Sequence, residues 1–182
     1  MNGERDYMDK LDIVTDESGN KVVLLPEIIF SNKQNINWDD VEDYLGKYVG
    51  ELIEIAETRD IIYIGNKFPD EYGGSSYTRK TKGARAKAKA NAAQGIREMV
   101  EIATDKVYRE NHKEKHSEDA HNGWFYYVTR FAIPLYNNEK KTGEYNVYSA
   151  CLVVNHAANG KMYLYDVVGI KKEASNPLKT NK

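Results

Sequence analysis

The most concentrated basic segment of the chain runs from residue 79 to residue 89, and no acidic residue interrupts it. Lysine and arginine side chains bind phosphates, and the counterions released make the affinity depend on salt. A tyrosine close to the segment supplies a ring on which a base can stack. We therefore predict phosphate contacts here, although a charged helix face exposed only to water gives the same pattern. The predicted nucleic-acid-binding residues are Tyr77 beside this segment, Lys115 further along the chain, and five cations within the segment, Arg79, Lys80, Lys82, Arg85 and Lys89.

Three histidines, His112, His116 and His121, fall within ten residues. An imidazole titrates near neutral pH, so His116 beside Lys115 suits general acid–base chemistry at a phosphate. His112 and His116 also have the spacing of a metal pair on a helix, but the flanking ammonium groups disfavour a cation and no cysteine completes a ligand set. We predict no metal site and no cofactor. Three exposed surface histidines are the alternative.

Arg130 stands in the middle of a run of aromatic and apolar residues that alternates with the period of a strand. A cation in such a place needs an anionic partner, either a ligand or Asp166 of a later strand. His156 and Lys171 end the two strands that follow, so they meet Arg130 if the register allows it. Tyr127 falls on the opposite face from Arg130 by simple alternation, and both join one site only if a bulge intervenes.

The elements that position these residues are helices followed by strands. Asn37 is expected to cap a helix through its side-chain oxygen. After residue 123 the hydrophobic period becomes two, and three strands with short polar turns predict an antiparallel meander. The predicted elements are a strand over 22–25, a helix from 37, a hairpin over 51–56 and 60–65, a Gly-rich loop over 69–76, a helix over 83–104, a polar helical stretch over 108–119, and strands over 124–136, 144–156 and 161–171.

This order predicts an α+β fold in which N-terminal strands and helices pack on a C-terminal antiparallel β-meander. The 182 residues suit one domain. We expect a flexible lead-in over residues 1–20, a single domain over 21–173 and a polar tail over 174–182.

The formal net charge of −2 conceals a balance of −10 over residues 1–75 and +8 over residues 76–182. This asymmetry suggests a polyanion site on the basic part. A single cysteine, Cys151, excludes an intramolecular disulfide. The sequence has neither a run of about 20 apolar residues nor a secretory signal, so we expect a cytoplasmic protein with no membrane partner.

Three phrases carry a resemblance to a known group of proteins. They are EKHSEDA at 114–120, GWFYYVTRFAIP at 123–134 and GKMYLYDVVGIKKE at 160–173. They resemble the large polyvalent protein-associated domains of bacteriophages and conjugative elements of gut Firmicutes, and the neighbouring phage nucleases of the barnase, EndoU, colicin and RelE-like superfamily. The resemblance extends over residues 22–178.

The resemblance implies metal-independent cleavage of RNA through attack by the 2′-hydroxyl. His116 would then act as acid or base, Arg130, Lys171 and Lys115 as phosphate stabilisers, and Tyr127 or His156 as a second proton-transfer group. The expected function is a ribonuclease-like toxin or effector of a phage or mobile element, with a possible immunity protein as partner. The alternative is a non-catalytic binding or anti-defence protein that contacts nucleic acid or a host protein. Only the first requires a histidine within reach of Arg130 and Lys171.

Overall fold

The structure is a computed structural model that describes residues 10–31, 35–110, 122–173 and 176–180. Its strands are β1 (Ile13–Thr15), β2 (Lys21–Leu24), β3 (Leu52–Glu54), β4 (Ile61–Tyr63), β5 (Thr104–Arg109), β6 (Trp124–Asn137), β7 (Lys140–His156), β8 (Met162–Lys172) and β9 (Leu178–Lys179). Its helices are α1 (Trp38–Leu45), α2 (Phe68–Gly74), α3 (Ser76–Lys80), α4 (Gly83–Ala92) and α5 (Ile96–Glu101), with 3₁₀ turns at Gly46–Tyr48 and Ala93–Gly95.

One sheet contains all these strands, in the order β1-β2-β6-β7-β8-β4-β3, with β5 beside β6 and β9 beside β7. The central strands β6, β7 and β8 pair antiparallel, as the change of period predicted. Two hairpins from the first half of the chain extend this meander on either side. β2 pairs parallel with β6, and β4 pairs parallel with β8. The structure therefore confirms an α+β fold.

The helices cover one face of the sheet. The main core combines helix residues such as Ile96 and Met99 with every second residue of β6, including Tyr127 and Phe131. The opposite face carries two smaller apolar clusters made of strand residues, one of which contains Trp124. The alternation of β6 thus follows the predicted pattern, with Tyr127 and Phe131 on the side of the helices.

The prediction for the start of α1 is confirmed, whereas the prediction for the segment before α3 is wrong. Asn37 caps α1 as predicted, and its Oδ1 accepts hydrogen bonds from the backbone N–H groups of Asp39 and Asp40 at 3.1 and 3.4 Å. The predicted Gly-rich loop over 69–76 is wrong, because residues 68–74 form α2. Tyr72 is completely buried, and Ser75 then caps α3 by accepting from the N–H of Thr78. Burial of the tyrosine outweighs the low helix propensity of the two glycines.

The predicted helix over 83–104 is shorter than expected. It is interrupted by the 3₁₀ turn and ends at Glu101, after which β5 begins. The helical stretch predicted from residue 108 is therefore wrong as far as residue 109, where Val107 and Tyr108 instead pair with β6. Both are good strand formers, and the edge of β6 offers unpaired backbone groups.

Both ends of the described chain join the sheet. Leu11 packs against the main core and β1 pairs with β2, so the prediction of a loose lead-in is wrong from residue 10 onward. Residues 178–179 of the predicted tail form β9 against β7. Among the described residues, no helix has the length and apolar character needed to cross a membrane.

Candidate functional site

Four of the predicted nucleic-acid-binding residues line one concavity of about 490 Å³ at the junction of α3 and α4. They are Tyr77, Lys80, Lys82 and Arg85, and Thr81 and Ala84 complete the lining. We call this site the basic concavity. Its three cations are exposed, its lining contains no acidic residue, and no ion pair joins any of the three to another described residue. Within the described part of the chain, the positive charge of this site is therefore concentrated and is not compensated by an ion pair.

The turn between the two helices has a local cause. The Thr81 hydroxyl donates to the carbonyl of Tyr77 at 2.7 Å, at the end of α3. Lys82 is extended, and Gly83 takes a φ of +63°, which glycine adopts without strain. This break between the helices places Lys80 of α3 and Arg85 of α4 on the same concavity.

The first turn of α4 adds to the positive potential. Lys82 occupies the N-cap position but has no side-chain acceptor for the first N–H groups, and no acid lies in that turn. The positive end of the helix dipole therefore adds to the charges of Lys82 and Arg85. Like charges gathered in this way disfavour the isolated helix and favour an anion in the concavity.

Tyr77 is fixed by the sheet. Its hydroxyl accepts a hydrogen bond from the N–H of Ile170 on β8 at 2.9 Å. The Nζ of Lys89 lies 5.0 Å from the centre of its ring. The ring is half-buried and also lines the basic concavity, so it is a positioned surface for stacking.

The prediction that Lys89 binds nucleic acid is wrong. Its side chain is completely buried, and its Nζ lies 2.6 Å from Oδ1 of Asp166 on β8. The same Nζ lies 4.6 Å from the ring centre of Tyr72. Burial lowers the pKa of Lys89 and raises that of Asp166, and the attraction between the two charges opposes both shifts. This pair also excludes Asp166 as the partner of Arg130.

The remaining members of the predicted interface lie elsewhere. Arg79 is exposed outside the lining of the basic concavity, and its Nε donates to the carbonyl of Gly74 at 2.9 Å. Lys115 lies outside the described residues.

Arg130 and Lys171 are brought onto one row of the sheet. Both are register partners of Ser149, Arg130 on β6 and Lys171 on β8. Arg130 is already paired, because its Nε lies 2.8 Å from Oε1 of Glu173. Its anionic partner is therefore a carboxylate of the chain, although a different one from the predicted Asp166.

Tyr127 is part of the main core. It is completely buried, and its hydroxyl donates to Oδ2 of Asp60 at 2.7 Å, where Lys106 also binds at 2.9 Å. Burial, followed by the hydrogen bond to Asp60, raises the pKa of Tyr127. Burial tends to raise the pKa of Asp60 too, but the hydrogen bonds from Lys106 and Tyr127 outweigh it and lower that pKa. A proton-transfer role for Tyr127 is incompatible with this arrangement.

His156 does not meet Arg130 and Lys171. It lies seven residues beyond Ser149 on β7, about 23 Å away at ~3.3 Å per residue. Its ring centre is 5.5 Å from that of Phe125, which packs on the helix side of the sheet. His116 lies outside the described residues, as do His112 and His121. The described part of the predicted catalytic set therefore does not form one site.

A second cavity, of about 240 Å³, was not predicted. It lies beside the start of β8, and its lining includes Asn155, Tyr163 and Tyr165. Asn155 is 8% exposed, and its Oδ1 has no hydrogen-bond partner among the described residues. An unpaired buried acceptor of this kind costs about 1–3 kcal/mol. The signal in the sequence is an asparagine, a poor strand former, directly after Leu152, Val153 and Val154.

Comparisons with protein-family models, with curated proteins and with solved structures gave no match. Within residues 10–31, 35–110, 122–173 and 176–180, no group of three or more His, Cys, Asp or Glu side chains has an arrangement suited to a metal ion.

Proposed function

We propose that this protein binds nucleic acid through the basic concavity, and that it does so as a binding module rather than as a nuclease. The observation that carries the proposal is the common location of Tyr77, Lys80, Lys82 and Arg85 in a concavity without acidic residues. Three cations that line one concavity can contact the phosphates of a strand, and the tyrosine ring adds a stacking surface. A non-catalytic phage or mobile-element protein acting in the bacterial cytoplasm would use such a surface.

Binding is favoured over cleavage because two of the described catalytic candidates are already paired, and the described histidine lies far from Arg130 and Lys171. Arg130 is bound to Glu173, Tyr127 to Asp60, and His156 lies at the far end of β7. General acid–base catalysis needs the proton-transfer group within hydrogen-bond reach of the reacting atoms. Binding of phosphates in the basic concavity does not require these catalytic candidates to lie close together.

The first experiment measures the salt dependence of binding to a labelled single-stranded RNA. We expect the affinity to fall steeply with salt. Replacing Lys80, Lys82 and Arg85 by glutamine should reduce the slope of log K against log salt by about 2, since each phosphate contact on a single strand contributes about 0.7. The matched control replaces three exposed lysines elsewhere, Lys140, Lys141 and Lys179. An equal loss of slope in both variants contradicts the proposal.

The second experiment separates binding from cleavage. The purified protein is incubated with labelled RNA in the presence of a chelator, and the RNA is expected to stay intact. Products ending in a 2′,3′-cyclic phosphate that disappear in His116→Ala would establish a metal-independent ribonuclease and overturn the binding module.

A further inference from the structure

Tyr77 is the one aromatic side chain among the described residues that line the basic concavity. The three cations of the lining can bind phosphates of any polyanion, whether it is single-stranded or double-stranded. An aromatic ring can distinguish between these ligands, because it interacts with a base and not with a phosphate. The surroundings of Tyr77 therefore indicate which form of nucleic acid suits the site.

A bulge in β8 fixes the hydroxyl end of this ring. The register shifts there, so that β8 has one extra residue between the pairs Ser149–Lys171 and Cys151–Val168. Gly169 lies within the bulge, and its φ of +60° is the left-handed conformation that glycine adopts without strain. The next residue, Ile170, donates its N–H to the hydroxyl of Tyr77 at 2.9 Å. The sheet therefore holds one end of the side chain, while α3 holds the other.

One face of the Tyr77 ring is already covered by the protein. The Nζ of Lys89 lies 5.0 Å from the ring centre, within the range of a cation–π contact. Lys89 is completely buried, so the face that it covers is the interior one. Tyr77 as a whole is half-buried and lines the basic concavity. The opposite face of the ring is therefore the one that remains for a ligand.

The basic concavity can contact a base and its phosphates at the same time. Its volume of about 490 Å³ falls within the range of roughly 300–1,000 Å³ that is typical of sites for one small ligand. A base inside a duplex is stacked between its neighbours, whereas a base of a single strand can leave the stack and pack on an aromatic side chain. A fixed ring beside three cations thus suits one nucleotide of a single strand.

We infer that the basic concavity selects single strands over duplexes, with one unstacked base packed on the free face of Tyr77 and the adjacent phosphates bound by Lys80, Lys82 and Arg85. The inference rests on the proposed function for the phosphate contacts and adds the part played by the base. Tyr77 is then the residue that determines specificity, and the N–H of Ile170 positions it.

The first test removes the bases and keeps the phosphates. Binding of a labelled single-stranded RNA is compared, by fluorescence anisotropy, with binding of an RNA of the same length made of abasic nucleotides. We expect the wild type to bind the strand with bases roughly tenfold more tightly, because stacking of a base on an aromatic side chain contributes about that much. Equal affinities for the two strands would overturn the inference. This comparison needs no variant.

The second test uses two variants of Tyr77. Both Tyr77→Phe and Tyr77→Leu lose the hydrogen bond from Ile170 and differ from each other in the aromatic ring. Tyr77→Phe should still prefer the strand with bases, whereas Tyr77→Leu should bind both strands equally. The matched control is Tyr136→Leu, at an exposed tyrosine outside the lining, and it should bind like the wild type. If Tyr77→Leu keeps the preference, the ring is not the stacking surface.

A duplex RNA separates this inference from the proposed function. At one salt concentration the single strand should bind more tightly than a duplex of the same length, and Tyr77→Leu should remove that preference. The glutamine variant of the basic concavity should instead reduce the salt slope. If the slope responds as expected but the wild type binds duplex and single strand equally, the phosphate contacts stand and the selection of single strands is wrong. If neither RNA binds, both proposals are wrong.

Discussion

Arg85 and Lys89 lie four residues apart on α4, and their surroundings are opposite. Arg85 is exposed in the basic concavity, where no ion pair links it to a described residue. Lys89 is completely buried and paired with Asp166. The difference comes from what covers each turn of the helix: the first turn is open, whereas Tyr72 and β8 enclose the next.

Tertiary contacts therefore divide a run of cations in a sequence into buried cations and exposed cations. A buried cation requires a carboxylate at bonding distance, because an isolated charge in the interior is very costly. Only the cations that remain outside are available to a ligand. The segment that the sequence pattern suggests binds phosphate thus contains both exposed cations and a lysine that belongs to the core.

The largest expected effect is on stability and comes from the buried pair. Lys89→Met should lower the free energy of unfolding by about 3–5 kcal/mol, because it leaves the Asp166 carboxylate buried without its partner. Arg85→Gln should change it by no more than about 0.5 kcal/mol. Urea denaturation measures both. The double variant Lys89→Met with Asp166→Leu should recover most of the lost stability. Equal losses of stability in Lys89→Met and Arg85→Gln would contradict the distinction between a buried and an exposed cation.

A smaller effect is expected at Glu42 on α1, whose carboxylate lies near those of Asp70 and two further aspartates, Asp39 and Asp43. Burial, followed by the hydrogen bond and the charge of Asp70, raises the pKa of Glu42 from 4.5 to about 7. Between these values the folded state binds more protons than the unfolded state, so stability falls as the pH rises from 4.5 to about 7 and stays reduced above it.

Glu42→Gln removes this titration and should stabilise the protein at pH 8 by about 1 kcal/mol after screening by solvent. At pH 4 the variant and the wild type should differ little. Thermal melts at the two pH values measure the effect, and Glu27→Gln, an exposed glutamate, is the control. A variant whose advantage does not grow between pH 4.5 and 7 would show that Glu42 titrates normally.

The smallest effect is expected for the pair of intermediate burial. The side chains of Arg130 and Glu173 are 22% and 27% exposed, so solvent screens their attraction. Arg130→Gln should cost about 0.5–1 kcal/mol, and high salt should reduce the difference from the wild type. A loss of stability as large as that of Lys89→Met would mean that burial does not determine how much each of these ion pairs contributes to stability.

Much of the fold follows from short-range patterns in the sequence. Asn37 caps its helix because its oxygen lies within reach of the next N–H groups, and the period of two after residue 123 gives the meander. The predictions that are wrong concern segments in which tertiary contacts outweigh the secondary-structure propensity of the residues. Gly73 and Gly74 end a helix because Tyr72 is buried, and the chain from residue 104 becomes a strand because β6 offers an edge.

The candidate sites were predictable to different degrees. The basic concavity could be predicted because its residues are neighbours along the chain. The partners of Arg130 and Lys89 could not, because β8 contains register shifts that move Asp166 toward α4 and leave Glu173 beside Arg130. The second cavity, which Asn155 lines, depends on segments 65–71 and 155–165, and no local pattern connects these segments.

The two N-terminal hairpins have a consequence for synthesis on the ribosome. Val23 on β2 pairs with Phe131, and Ile62 on β4 pairs with Met162, about a hundred residues later in each case. In the emerging chain both hairpins therefore lack their partner strands, and their edges stay unpaired until the later strands have left the exit tunnel. A chain stopped before residue 160 could not complete its native sheet, and such products should be prone to aggregation and rapidly degraded.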